Sequence, residues 1–262
     1  MRSYLARYQQ GERQQVWREL YALGVNVRQA EIYPDAWAVA VETMKRVRYN
    51  VEVLIPRLEE LGYQFGYEWL EEEQPDVDEE WIAMQPARYA PPPSDITEQI
   101  QRFEELAGPL PSSIRAFYSE VGEVNFFGRH LSWEQLFEKE RPRGQPPSNL
   151  DPLAVRRLDE DTFEDYVSWR KEMQKQGMEA GSYPLMIALD YELKYNISGA
   201  GAYEIEVPNA AADGILLHEW HQTTFVNYLR ISLHYGGLPG LQYISSLLPE
   251  ELAYLRKDLL PI

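Results

Sequence analysis

The sequence predicts an α+β fold, and a change of pattern along the chain is the main reason. Apolar residues recur with the 3.6-residue period of helices through most of residues 1–174. From residue 183, short apolar runs and alternating apolar and polar residues favour strands, and a further helical pattern follows them. Helices followed by a meander and a closing helix are typical of the α+β class, here with a mostly antiparallel sheet packed by helices.

Residues 1–70 are predicted to form a helical unit. Two stretches within it, 12–23 and 34–61, place apolar residues on one helical face, and a glycine follows each of them. Pro56 lies inside the second stretch. Because proline lacks an N–H and clashes with the preceding turn, we expect Pro56 to kink or split that helix just before it.

Residues 71–94 are predicted to be an acidic, proline-rich linker. The segment contains the charge-dense EEEQPDVDEEW and the three consecutive prolines of ARYAPPPSD. A proline-rich stretch is extended and fairly stiff, so it spaces two units rather than joining a core. We therefore place the domain boundary here, with an α+β domain over 95–262. An alternative is that the acidic run is a recognition tail for a basic partner.

Within 95–262 the sequence predicts an order of helices, then strands, then helices. Gly108-Pro109 ends the first helix, and Pro111 suits the opening of the next. The predicted helices cover 95–107, 112–121, 132–137, 162–174 and 223–236, with a last short one within 245–262. The predicted strands cover 124–127, 183–190, 191–198, 202–208 and 214–221.

Composition restricts the classes of partner. The net charge is −17, and because the first 70 residues are balanced, the excess of acids lies beyond them. Such a field repels nucleic-acid phosphates and anionic lipid and attracts basic proteins, although acidity also serves solubility alone. There is no cysteine, no apolar run long enough to span a membrane and no apolar leader at the start. We expect a cytoplasmic protein with no nucleic-acid or membrane partner.

Four sequence motifs resemble the SUKH superfamily, which includes the fungal cell-wall assembly regulators of the Smi/Knr type and many bacterial relatives. They are IQRFEELAGPLPSSIRAFYSEVGEVNF (100–126), YPLMIALD (183–190), SGAGAYEIEVP (198–208) and TTFVNYLR (223–230). Their order matches the family's helices, Asp-ended strand, glycine-rich hairpin and closing helix, over about 95–240. This chain departs from the family in having Gly122-Glu123 where Gly-Gly is usual, and in a longer insertion at 138–182.

The resemblance implies a protein-binding module without catalysis. Bacterial members are largely taken to be immunity proteins that neutralise polymorphic toxins, often nucleases, and fungal members act as scaffolds in cell-wall signalling. We therefore expect an immunity protein for a basic toxin, present as a monomer or weak dimer. A regulatory scaffold is the alternative, and a hydrolase of unknown substrate is a remote one.

The candidate partner-binding residues are acids and aromatics of the 95–262 region. Four acids open the helix predicted over 162–174, one acid ends the 183–190 strand, and two aromatics lie near the meander. They are Asp159, Glu160, Asp161, Asp165, Asp190, Tyr195 and Trp220. Acids beside aromatics suit recognition of a basic partner. Each also has an ordinary alternative, since acids favour helix N-termini, Asp caps turns and aromatics fill cores.

Two further motifs do not have the spacing that metal binding or catalysis requires. HEWH (218–221) has its histidines at i, i+3 in a predicted strand, where they point to opposite faces, whereas a zinc helix needs i, i+4. NISGAG (196–201) matches neither a nucleophile elbow nor a dinucleotide loop, and its glycines suit a hairpin turn. We expect no metal, no cofactor and no catalytic residue.

Overall fold

The computed structural model describes residues 3–66, 87–177, 183–192, 194 and 201–262. These residues form an α+β structure with short antiparallel sheets, which confirms the predicted class. The helices are α1 (Tyr4–Gln9), α2 (Arg13–Ala22), α3 (Tyr33–Glu60), α4 (Ile96–Ala107), α5 (Ser112–Glu120), α6 (Leu131–Glu140), α7 (Glu160–Lys175), α8 (Phe225–His234) and α9 (Pro249–Arg256). The strands are β1 (Gln64–Phe65), β2 (Tyr89–Ala90), β3 (Glu123–Asn125), β4 (Gly128–Arg129), β5 (Ala154–Val155), β6 (Tyr183–Leu189) and β7 (Ala202–Val207).

The N-terminal helices pack through the apolar faces that the sequence predicts. Trp17 of α2 is buried and donates its indole N–H to the hydroxyl of Thr43 on α3, at 3.0 Å. The predicted split at Pro56 does not occur, because α3 continues through it to Glu60. Proline removes one hydrogen bond near the end of this helix, and the long buried face of α3 outweighs that loss.

The N-terminal helices also contact the rest of the chain. Helix α3 packs against α5, and apolar residues of both belong to the same buried cluster. The guanidinium of Arg28 donates to the carbonyl oxygens of Leu110, at 2.6 Å, and Ala210, at 3.1 Å. The division into a helical unit, a linker and an α+β domain stays a prediction. Residues 67–86 of that stretch lie outside the described residues.

Two antiparallel groups of strands, β2–β3–β5 and β6–β7, lie next to each other. Strand β3 lies between β2 and β5, and β6 pairs with β7 along its whole length. The Arg156 amide donates to the carbonyl oxygen of Ile187 at 2.9 Å, which joins the two groups edge to edge. A single bridge between Glu204 and Leu217 continues the sheet beyond β7, while β1 and β4 form a separate pair.

Two predicted strands are wrong where the structure describes them. In 191–198, the segment turns at Tyr191, because the Asp190 carboxylate accepts the Glu192 amide at 3.0 Å and ends β6. In 214–221, only isolated bridges form. A φ of 64° at His218 then turns the backbone out of the extended conformation.

Among the residues that the structure describes, no helix combines the length and the apolar character needed to cross a bilayer.

Candidate functional site

The four acids predicted as a contact patch do lie together, at the start of α7. Asp159 is the N-cap, and its carboxylate accepts the Thr162 amide and hydroxyl, both at 3.0 Å. Burial alone would raise the pKa of Asp159, but hydrogen bonds from Arg157 and Thr162 outweigh burial and hold that pKa below its ordinary value. The helix therefore begins with an ionised cap, and the negative charge of that cap also interacts favourably with the helix dipole.

Most of this acidic cluster is paired with arginines of the same chain. Asp159 pairs with Arg157 at 2.8 Å and Asp165 with Arg156 at 2.7 Å. Glu160 forms an ion pair with Arg102 on α4. Asp161 is exposed, and no cation of the described chain lies within ion-pair distance of it. The start of α7 is therefore a mixed charged surface rather than a bare negative patch.

A groove runs along α7 where the helix faces the β6–β7 hairpin. Its volume is about 520 Å³. One helical face forms the first wall, because its residues follow i, i+3, i+4 spacing: Thr162, Asp165, Tyr166, Trp169 and Glu172. The outer face of the hairpin forms the second wall, with Pro184, Met186, Ala202 and Glu204. Trp169, which the sequence analysis missed as a site residue, is 46% exposed there.

The groove is lined by charged as well as apolar groups. Arg156 donates from Nη1 to Asp165 at 2.7 Å and to the sulfur of Met186 at 3.1 Å, so it links the two walls. The Glu204 carboxylate lies 3.5 Å from His218. Burial raises the pKa of Glu204, and the neighbouring His218 opposes that rise. A half-buried carboxylate and an exposed indole that line the same groove are chemically suited to binding a cation.

Two other predicted partner-binding residues, Trp220 and Asp190, lie near a buried polar cluster centred on Asp151. The Oδ2 atom of Asp151 accepts from the indole N–H of Trp220 at 2.8 Å and from the hydroxyl of Tyr203 at 3.2 Å. Its Oδ1 atom accepts from Lys194 Nζ at 2.5 Å. Burial and the adjacent Asp151 raise the pKa of Tyr203, so its hydroxyl remains a donor. The indole N–H of Trp220 is therefore already bonded inside the chain. This contact explains the presence of Trp220 without a role as an interface anchor.

Asp190 takes the turn-capping position that was its ordinary alternative. Its Oδ1 accepts the Glu192 amide at 3.0 Å and its Oδ2 accepts the Gly201 amide at 2.8 Å. The Lys194 amide donates to the Asp190 carbonyl at 3.1 Å, which connects this turn to the Asp151 cluster. Tyr195 lies outside the described residues. Asp151 and Lys194 were not predicted as site residues. The only sequence signal was Lys194 itself, a lysine between apolar residues of a predicted strand.

The HEWH motif is divided between two environments. His218 is exposed beside Glu204, whereas the Nδ1 atom of His221 lies 2.6 Å from a carboxylate oxygen of the buried Glu219. The rings of Trp220 and His221 pack with centroids 3.5 Å apart. Across the described ranges, no group of three or more His, Cys, Asp or Glu side chains is arranged to hold a metal ion.

Comparisons of this chain with family models, curated proteins and solved structures find no match. The resemblance to the SUKH superfamily therefore rests on the four sequence motifs.

Proposed function

We propose that this chain is a non-enzymatic protein-binding module that acts in the cytoplasm as an immunity protein and neutralises a basic polymorphic toxin, such as a nuclease. The observation that carries the proposal is the groove along α7, which is lined by the exposed Trp169 and by the carboxylate of Glu204. The other two carboxylates of the groove are paired within the chain, Asp165 with Arg156 and Glu172 with Lys175. The four sequence motifs supply the immunity role, and the groove supplies a binding surface for it.

The physical properties of the groove suit a protein partner. Tryptophan is enriched among residues that dominate binding energy, because its large ring is desolvated at low entropic cost. The groove volume of about 520 Å³ falls within the range of about 300–1,000 Å³ common for binding pockets. The net charge of −17 steers a basic partner towards the chain and raises its association rate.

A regulatory scaffold is the second candidate, and one observation favours it. Tyr21 and Val25, near the end of α2, are exposed apolar residues on a part of the chain that does not line the groove. Two separate apolar surfaces suit two partners. Deleting residues 1–70 is a poor way to separate the candidates, because α3 packs against α5 in the core. Substituting Tyr21 and Val25 with Ser leaves that packing in place.

The test is affinity capture with the full chain and matched variants. Tagged protein is expressed in cells that naturally produce it, recovered at low and then moderate salt, and its bound proteins are identified by mass spectrometry. Trp169→Ser is compared with Leu247→Ser, because Leu247 has a similar exposure of 49% but lies outside the groove. The proposal predicts one basic toxin-like partner that is released by salt and lost only with Trp169→Ser.

Two results would contradict the proposal. If Trp169→Ser and Leu247→Ser both retain the same partners as the wild type, the groove is not the binding surface. If the partners are several signalling or envelope proteins that depend on Tyr21 and Val25, the scaffold function replaces the immunity function.

A further inference from the structure

The groove along α7 already holds one guanidinium, that of the chain's own Arg156. This group is clamped between the carboxylate of Asp165 on α7 and the sulfur of Met186 on β6. Arginine suits such a place because its planar, weakly hydrated cation can donate to a carboxylate while lying against apolar or polarisable atoms. The chemistry of the groove walls is therefore compatible with arginine.

A second carboxylate lies beside this clamp. Glu204 on β7 is directly opposite Met186 in the strand register, so the two side chains share the outer face of the hairpin. The only basic side chain of the described residues within ion-pair distance of Glu204 is the imidazole of His218, at 3.5 Å, and that histidine is largely exposed. A partly buried carboxylate with so weak a partner is costly to keep ionised, so an incoming cation gains more there than at the open surface.

Trp169 supplies a flat apolar surface in the same groove. Nearly half of its side chain is exposed, although the neighbouring Tyr166 and Phe163 on α7 are buried. Guanidinium groups stack on tryptophan faces through cation–π attraction, which arginine exploits better than lysine. A carboxylate and an indole in one groove are complementary to a single arginine side chain.

We propose that the groove binds an arginine side chain of the basic partner, with the guanidinium held by Glu204 and its plane against Trp169. This inference rests on the proposed function and names the chemistry by which the partner is recognised. It makes Glu204 and Trp169 the specificity-determining residues, while the α7 acids that are paired with arginines contribute little.

The test uses a capped pentapeptide, Gly-Ser-Arg-Ser-Gly, at millimolar concentration and follows the indole resonances of the full chain by NMR. A second peptide carries citrulline, which keeps the shape of arginine without its charge. Glu204→Gln is compared with Glu206→Gln, because Glu206 is on the same strand and outer face but does not line the groove. Thermal unfolding of each variant checks that it is folded.

The expected result is binding of the arginine peptide that shifts the Trp169 resonance. Glu204→Gln should weaken the binding by about tenfold or more, as loss of a charge-assisted pair does. Glu206→Gln should change it less than about twofold, as expected for an exposed charge. The citrulline peptide should not bind at the same concentrations.

The inference is overturned if the arginine peptide does not bind, if citrulline binds equally well, or if the two Gln variants behave alike. These failures are distinguishable from failure of the proposed function. A partner that is captured by the wild type and lost with Trp169→Ser, while the peptide does not bind, means that the groove recognises a protein without an arginine. If the partner is not lost with Trp169→Ser and the arginine peptide does not bind either, the groove takes no part in the function.

Discussion

Lys194 Nζ lies 2.5 Å from Asp151 Oδ1, and the two side chains are 1% and 0% exposed. The same carboxylate accepts from Tyr203 on β7 and from Trp220 in the loop before α8. This buried ion pair therefore connects four separate segments of the chain at one carboxyl group.

Breaking that pair from one side should be strongly destabilising. Lys194→Met leaves a buried carboxylate and Asp151→Asn leaves a buried ammonium, so each should lower the free energy of unfolding by about 3–5 kcal/mol. The double variant should lose less than the sum of the two, because no uncompensated charge remains. Urea unfolding of the four proteins measures this. Additive losses would show that the two residues do not interact.

Gly122 should tolerate alanine poorly because two costs coincide there. Its φ is +92°, and an added Cβ would lie 2.4 Å from the carbonyl oxygen of Ala90, the strand residue paired with β3. Gly144 is the matched control, with φ +75° and nothing within 4 Å of an added Cβ. Gly144→Ala should cost about 1 kcal/mol and Gly122→Ala about 3 kcal/mol or more. Equal losses in chemical denaturation would mean that β2 does not pack on Gly122.

Arg28 should stabilise the contact between the N-terminal helices and the rest of the chain. Arg28→Met removes the donors to the Leu110 and Ala210 carbonyls and should cost about 2–3 kcal/mol. The same change at Arg143, an exposed arginine, should cost less than about 0.5 kcal/mol. Thermal unfolding followed by circular dichroism measures both. A separate early transition in Arg28→Met would show that the N-terminal helices melt by themselves.

The Arg7–Glu19 pair predicts a pH-dependent contribution to stability. Hydrogen bonds from Arg7, and then from Gln15, lower the pKa of Glu19 from 4.5 to about 2. A carboxyl group whose pKa is lower in the folded state stabilises the fold above its unfolded pKa, and loses that contribution as pH falls through the folded value. Glu19→Gln should therefore lower the melting temperature at neutral pH, with a difference that shrinks between pH 4.5 and 2.

The size of this effect should be small. The Glu19 side chain is 33% exposed, so solvent and salt screen the pair. High salt should reduce the difference between the wild type and Glu19→Gln at neutral pH. A difference that grows as the pH falls would contradict the assignment of the shift to Arg7.

The parts of the fold that were predictable depend on neighbours along the chain. Helix α4 ends at Ala107 before Gly108, and α5 follows Pro111, because glycine and proline act locally on the backbone. The two wrong strands fail for the opposite reason. Apolar residues at 214–221 satisfy the strand pattern, yet they lie in a loop where Leu216 is buried and Ile215 is exposed, and the course of that loop depends on its bridges to β7 and to the residue before α8.

The candidate site was predictable only in part. The acids at the start of α7 were recognisable as a cluster, but their arginine partners come from residues as distant as Arg102 on α4. Trp169 was indistinguishable in sequence from an ordinary core residue of an amphipathic helix. Its exposure depends on how far the β6–β7 hairpin approaches α7, which no local pattern records.

The α+β class, the approximate course of the helices and the excess of negative charge could be read from the amino-acid sequence, because they follow from composition and from short-range periodicity. The pairing of the charges, the common burial of Asp151 and Lys194, and the groove that Trp169 and Glu204 both line became known from the folded structure alone. The physical reason is that these relationships are distances between segments far apart in the chain, set by the packing of the whole core.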